Sequence, residues 1–385
     1  MQKQGKLLHI CSYSWETGGP ASFIFNHADY QIKNGMEVDI ASAMYSWQNP
    51  YKLPAGARLF TFRKSIFSKL ISEFSLQMIF WFIKNRNKYD YIHLHGLWHF
   101  GSILPFLIPS KAKKIVTIHG FLDTYAMQRN GFLKKIFWVL FQKRFLRKAD
   151  KLHAMNEEEY QLLLQLFPDK AEHIALIGNG IEDPLEDKMD DKNIESFQLK
   201  IEQFSGKEEP VILFIGRKSE KKGLDNLVEA FLELEQEKGK VGKLILAGPS
   251  DDFSESLENI LKKSTSQNVL ELPLVQGAEK DYLFKRADLV VLPSYSEGFS
   301  IAALEAMAYG KCSMLSTRIG FAEEANAAQA AIIIEPTKNH VKFALIQYLS
   351  GGFDVENLRL NARKLYKSKY TSETICSKLF SFIVS

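Results

Sequence analysis

The feature that most restricts this chain is an alternation, sustained almost from end to end, between short apolar runs and longer segments of helical spacing. Residues 7–12, 37–41, 91–94, 115–118, 151–154 and 174–177 read as strands, and 22–33, 65–85, 131–147 and 157–167 as helices. Apolar strands separated by helices predict parallel sheets covered on both faces. The alternation lapses over 182–209, a polar, charge-rich stretch around Pro184 with room for one short helix. It resumes with strands at 211–215, 243–247, 269–272, 289–292 and 312–315. The expected architecture is α/β, with two doubly wound domains joined by that linker, and 385 residues suit two cores rather than one. Ligands of such sheets bind beyond the carboxyl ends of the strands, so a cleft between the two edges is the expected active site.

Charge and cysteine usage narrow the partners. A net charge of +4 is too small to call for nucleic acid, and none is expected as a partner. Cys11, Cys312 and Cys376 are far apart, sit in apolar stretches and lack metal-ligand spacing, which reads as free thiols in a reducing compartment. The polar residues 1–5 lead directly into a strand, so no signal peptide is expected, and no apolar run approaches the ~20 residues a membrane span needs. The expected location is the cytoplasm, including the inner face of the cytoplasmic membrane.

Four segments carry chemistry. Gly18-Gly19-Pro20 follows the first strand and opens a helix, where paired glycines and helix amides admit an anion, although the dinucleotide fingerprint G-x-G-x-x-G is absent. His95-Gly96 and His119-Gly120 each end an apolar run, which puts two imidazoles on the ligand edge of the first sheet. For His93 and His99 a structural role is expected, and no zinc ligand pair is present. Gly216-Arg217 ends the strand 211–215, and Lys222-Gly223 leads into the next helix. A guanidinium fork and an ammonium beside a helix N-terminus suit a diphosphate, whereas Lys218 and Lys221 read as solvated. Finally, Glu297 lies in the loop 294–300 and Glu305 inside the helix that Ser300 should cap. That helix is apolar nearly all round, and a carboxylate there is costly without a partner. Both carboxylates can reach one ligand lying along the helix end.

Taken in order, Gly18-Gly19, His119-Gly120, Asn179-Gly180-Ile181, Gly216-Arg217 with Lys222-Gly223, and Ser296-Glu297-Gly298-Phe299 through Glu305 resemble glycosyltransferase family 4. The Glu-x7-Glu segment with its flanks is the specific part; the glycine pair alone is not. The resemblance implies the GT-B fold of two facing Rossmann-like domains and retaining transfer from a UDP- or GDP-sugar, with neither metal nor other cofactor. It divides the chain into an acceptor-side domain (1–181), a linker (182–209), a nucleotide-sugar domain (210–370) and a C-terminal helix (371–385) packing back on the first domain.

Carried over by position, Arg217 and Lys222 bind the donor diphosphate, Glu297 contacts the donor sugar and Glu305 the ribose. Gly19, Gly298, Phe299 and Ser300 complete the donor site; Gly18 and His95 stand on the acceptor side; His119 lines the reaction centre. His119, Glu297, Arg217 and Lys222 form the catalytic set. One departure stands out: Arg318-Ile319-Gly320-Phe321-Ala322-Glu323-Glu324 lacks the second glycine and the proline usual in the family, with Glu323 or Glu324 as the equivalent acid.

The implied acceptor is a glycan or lipid-linked glycan in surface polysaccharide or lipopolysaccharide assembly. The segments 65–85 and 131–148 mix aromatic with basic residues, and the second contains no acid, so it suits either an anionic membrane or an ordinary core-facing helix. A GT-B sugar-nucleotide epimerase or hydrolase, or a catalytically silent binding subunit, would share the nucleotide pocket.

Overall fold

The computed structural model describes residues 4–17, 19–69, 72–120, 138–186, 194–206, 209–239, 241–251 and 253–385. Gly18, Lys134 and Lys135 lie outside the described residues, as does the 131–137 portion of the basic aromatic segment. The chain divides into two compact units, Met1–Gly180 with Ser372–Ser385, and Ile181–Thr371.

In the first unit, β1 (Lys6–Ile10), β2 (Glu37–Met44), β3 (Arg58–Arg63), β4 (Tyr91–His95), β5 (Lys113–Thr117), β6 (Lys151–Ala154) and β7 (Ile174–Leu176) make one sheet. Its order is β3-β2-β1-β4-β5-β6-β7, with every pairing parallel. The second unit holds β8 (Val211–Ile215), β9 (Lys243–Ala247), β10 (Val269–Leu272), β11 (Leu289–Leu292), β12 (Cys312–Ser316) and β13 (Ile332–Ile334). They run in the order β10-β9-β8-β11-β12-β13, again all parallel. Both sheets therefore start centrally, wind outward to one edge and return to the other side of the first strand. The order reverses between β1 and β4, and between β8 and β11. That reversal opens the crevice where doubly wound sheets take ligands.

Burial explains the strands. All five residues of β8 and all four of β11 are buried, each aliphatic side chain contributing on the order of 1.5–3 kcal/mol on leaving water. β3 and β13 were not anticipated. Both are edge strands: β3 buries only Phe62 and carries an arginine at each end, and β13 is only three residues long. The helix expected over 65–85 is broken. A short turn at Ile66–Lys69 is followed by Glu73 with positive φ, and Ser75 then caps the helix Leu76–Asn85 by accepting from the Met78 amide. The helix Ser372–Val384 packs on the helix Gly19–Lys33, with Tyr30 edge-on to Phe380. Lys151 Nζ donates to the Phe382 carbonyl and to Ser385 Oγ, 2.7 Å away. All three cysteines are buried and none forms a disulfide. No helix among the described residues is long and apolar enough to cross a membrane.

Candidate active site

In the second unit the reversal point gathers most of the singled-out residues. β8 delivers Gly216 and Arg217, a short turn (Glu220–Lys222) follows, and Gly223 in the left-handed region starts the helix Leu224–Lys238. Lys222 thus ends a turn instead of entering the helix. A Cβ at Gly223 would sit 2.1 Å from the Pro293 carbonyl oxygen, so only glycine lets this turn lie against the loop that follows β11. The Tyr295 amide donates to the Lys221 carbonyl at 2.8 Å and locks the two loops together.

This close approach sets Lys222 Nζ 2.5 Å from Glu297 Oε1, with both side chains mostly buried. Ser294 Oγ donates to the other carboxylate oxygen at 3.0 Å. The Glu297 backbone is pinned as well: its amide donates to the Arg318 carbonyl, and its carbonyl accepts from the Gly320 amide, both at 3.1 Å. The loop 317–321 thereby acts as the clamp on Glu297. Glu323 is exposed, whereas Glu324 accepts from Lys369 and Tyr370.

Ser300 caps the helix Ile301–Ala308 as the sequence anticipates, accepting from the Ala303 amide. Gly298 lies in the loop before it, and Phe299 packs on Phe321 and Tyr370. Glu305, inside the helix, is 2.5 Å from Lys280 Nζ of the helix Ala278–Arg286. Its partner was invisible in the sequence, because 25 residues separate the two and nothing local marks Lys280. Arg217 is exposed, 3.6 Å from Asp251, and able to swing toward an anion. Lys218 corrects an expectation. It is buried against Glu271 at 3.0 Å, because a bridge from Lys218 to Ser250 turns it toward the β9–β10 side.

The first unit presents a different chemistry at its own reversal point. Gly19 is the first residue of the helix Gly19–Lys33, and a Cβ there would meet nothing within 4 Å. The described protein atoms do not demand glycine, and the space stays open to a ligand. His119 follows β5 with φ 59°, a left-handed conformation that a non-glycine residue adopts only when its surroundings hold it there. The Gly120 amide donates to the buried Glu159 carboxylate, which also accepts from the Met155 amide at 3.0 Å. His119 Nε2 lies 3.1 Å from His95 Nδ1, and Phe23 meets the His119 ring edge-on. His95 is buried directly behind His119.

The sequence missed how many imidazoles collect here. His9, His93, His95 and His153 are all buried on or beside this sheet, with His27 on the overlying helix. Burial pushes His9 and His153 down to about 4, each partly offset by one hydrogen bond, to Gln31 and to the Ile177 carbonyl respectively. Burial and neighbouring imidazoles hold His93 and His95 well below the usual histidine range. His119 is lowered to about 3 by burial and by His153 and His99. Nitrogens of His9, His93 and His95 lie within 4.8 Å of one another, a grouping that could hold a metal ion. However, His9 Nδ1 and His95 Nε2 are 2.8 Å apart, whereas two nitrogens on a tetrahedral zinc would be about 3.3 Å apart from bonds of about 2.0–2.1 Å. The spacing fits a hydrogen bond. Also unanticipated is Glu73, which is buried and accepts from Ser12, with Lys64 at 3.6 Å and His99 at 3.3 Å.

Two family descriptions match the chain: glycosyltransferase family 4 over residues 17–183 and glycosyl transferases group 1 over residues 196–365. An uncharacterized glycosyltransferase of Methanocaldococcus jannaschii is 25% identical, covering 96% of each chain. The GDP-mannose:cellobiosyl-diphosphopolyprenol alpha-mannosyltransferase of Xanthomonas oryzae is 24% identical, covering 73% of this chain and 70% of its own. Among solved structures, sucrose-phosphate synthase of Thermosynechococcus elongatus superposes with a TM-score of 0.78 at 17% identity, covering 98% of this chain and 97% of its own. HepE of Anabaena, solved with UDP-glucose, gives 0.73 at 16% identity and 98% of both chains. At these identities the structural likeness speaks for the fold alone.

Proposed function

Because this chain is an enzyme of glycosyltransferase family 4 with the GT-B fold, we propose that it moves a sugar, with retention, from a UDP- or GDP-sugar to a glycan or lipid-linked glycan acceptor. The product belongs to surface polysaccharide or lipopolysaccharide assembly. The observation that carries this reading is the Lys222–Glu297 pair, held between two locked loops at the head of the helix that bears Glu305. A donor entering there exchanges one partner for another: its diphosphate takes Lys222 and Arg217, and its sugar hydroxyls take Glu297. Glu305 then accepts from the ribose hydroxyls, while Gly19, Gly298, Phe299 and Ser300 border the donor.

In the transfer, the bond from the anomeric carbon to the diphosphate oxygen breaks, and both electrons stay with the diphosphate. The acceptor oxygen bonds to the same face of that carbon, and its proton passes to the departing diphosphate. Arg217 and Lys222 balance the charge left behind, so the step calls for no metal. His119 lines the reaction centre, with Gly18 toward the acceptor; His95, expected there too, is instead buried behind His119 with both ring nitrogens taken by His9 and His119.

A lipid-linked acceptor would bring the enzyme to a membrane surface, and two features of the first unit suit that. Leu76, Phe80 and Ile83 form an exposed stripe at i, i+4 and i+7, with Ile66 and Phe67 also exposed. Arg144, Arg147 and Lys148 are exposed on the helix Lys143–Lys148, whose Phe145 and Leu146 face the core. The relative named for a diphosphopolyprenol-linked acceptor supports the same direction.

The test is incubation with a panel of radiolabelled UDP- and GDP-sugars and a membrane lipid extract. Label entering lipid or polysaccharide is the expected result. Release of free sugar or an epimer would replace transfer with hydrolysis or epimerisation, and binding without turnover would leave a silent subunit.

A further inference from the structure

Three imidazoles in the first unit stand in line. Gln31 Oε1 is 2.9 Å from His9 Nε2, His9 Nδ1 is 2.8 Å from His95 Nε2, and His95 Nδ1 is 3.1 Å from His119 Nε2. Gln31, His9 and His95 are buried, so each ring in the line has a designated neighbour on either side up to His119. A neutral imidazole carries one N–H and one lone pair, so every contact in such a line needs one donor and one acceptor. Burial keeps these rings neutral.

The group at the far end therefore dictates the direction of the whole line. Gln31 turns its amide oxygen to His9 and leaves its Nε2 buried without a partner among the described residues; in this orientation the amide accepts, so His9 carries its proton on Nε2 and leaves Nδ1 bare. His95 must then donate through Nε2–H and leave its own Nδ1 bare. His119 must likewise donate through Nε2–H. Its Nδ1 is left with the lone pair.

We propose that Gln31 is a positioning residue which, through His9 and His95, fixes His119 as the Nε2–H tautomer, so that its Nδ1 meets a substrate as a hydrogen-bond acceptor. A neighbouring line shows the same logic with a backbone end. The Ile177 carbonyl is 2.7 Å from His153 Nε2, His153 Nδ1 is 2.9 Å from Thr117 Oγ1, and Thr117 Oγ1 is 2.7 Å from His93 Nε2. A carbonyl accepts, so His153 carries its proton on Nε2, Thr117 donates to its Nδ1, and His93 donates to Thr117. His93 Nδ1 should then be a bare lone pair, and it is a buried nitrogen without a partner. The backbone fixes that second line permanently, whereas the first ends on a side chain that substitution can remove.

The effect on catalysis rests on the placement of His119 at the reaction centre; the tautomer assignment does not. Replacing Gln31 with methionine removes the acceptor and roughly keeps the volume. An orphaned buried N–H costs more than an orphaned lone pair, so His9 should move its proton to Nδ1 and the line should reverse. His119 would then carry its proton on Nδ1.

Long-range proton–nitrogen correlation spectra of the full chain with 15N-labelled histidine read this directly. In the unsubstituted protein, His9, His95 and His119 should each show a pyrrole-type Nε2 and a pyridine-type Nδ1. In Gln31→Met all three should exchange these signatures, and kcat should fall about 10- to 100-fold with KM for the donor unchanged. A pyrrole-type Nδ1 on any of the three rings before substitution overturns the proposal without needing a variant. So does a variant in which His119 keeps its tautomer. Reversed tautomers with undiminished kcat would uphold the line and remove His119 from the reaction centre.

Discussion

Lys222 and Glu297 are each other's nearest charge, 2.5 Å apart, although 75 residues separate them in sequence. The pair is preformed, and the loops carrying it are tied by the Tyr295–Lys221 backbone bond. Lys222→Ala would leave Glu297 mostly buried without its cation and the donor diphosphate without its ammonium. Transfer should fall on the order of 10²- to 10³-fold in kcat, with circular dichroism unchanged. Near-normal turnover would take Lys222 out of the donor site.

Gly223→Ala tests the geometry behind that pair. Its φ of 65° and the 2.1 Å approach of a Cβ to the Pro293 carbonyl force either loop to move. The expected cost is about 1–3 kcal/mol, which for a unit of this size lowers the Tm by several degrees. Nucleotide affinity should fall as well, since the displaced loop carries Lys222. A thermal melt and a UDP or GDP titration on the same sample check both.

Glu305→Gln distinguishes a ribose contact from a phosphate contact. A hydrogen bond to a charged group is worth about 1.5–3 kcal/mol, so nucleoside diphosphate binding should weaken about 10- to 100-fold by calorimetry. Inorganic pyrophosphate should bind as before. Equal loss for both ligands would place Glu305 away from the ribose.

Acid should weaken the first unit selectively. His9 and His153 are fully buried at about 4 against an ordinary value of 6.5, so below pH 6.5 the unfolded chain takes up protons that the folded chain refuses. Their neutral burial costs no stability through protonation above pH 6.5. Below it, stability falls by about 1.4 kcal/mol per pH unit per histidine until the folded groups titrate near pH 4. All five tryptophans lie in the first unit, so their fluorescence follows its unfolding alone. The urea midpoint should fall from pH 7.5 to 5.5; a constant midpoint would mean the imidazoles are not buried and neutral.

Membrane contact through the exposed stripe needs both apolar and basic parts. Phe80→Asp should reduce sedimentation with anionic vesicles, and so should Lys→Glu at 134, 135 and 143. Binding should also drop steeply with salt. Salt-insensitive binding retained by both variants would exclude this surface.

Residues that act through chain neighbours were legible in the sequence, and those that act through distant partners were not. Ser300 as a cap, Glu297 in a loop and Glu305 in a helix follow from spacing within a dozen residues. The interior strands and two of the four edge strands, β7 and β10, declared themselves by their apolar runs, whereas β3, with an arginine at each end and one buried residue, and β13, only three residues long, did not. Lys280 beside Glu305 and Gln31 behind His9 are brought in by helices packing from elsewhere, and no local pattern foretells them. Lys218 was misread for the same reason. A lysine in a polar loop reads as solvated until the strand beside it supplies Glu271.

The return of the Ser372–Val384 helix to the first unit has a bearing on how the protein is born. The ribosome must finish the entire Ile181–Thr371 unit before the segment that holds Lys151 and packs on Tyr30 emerges. The unit made first is thus completed last, and its nascent form waits with the Gly19–Lys33 helix uncovered on the side that Phe380 will occupy.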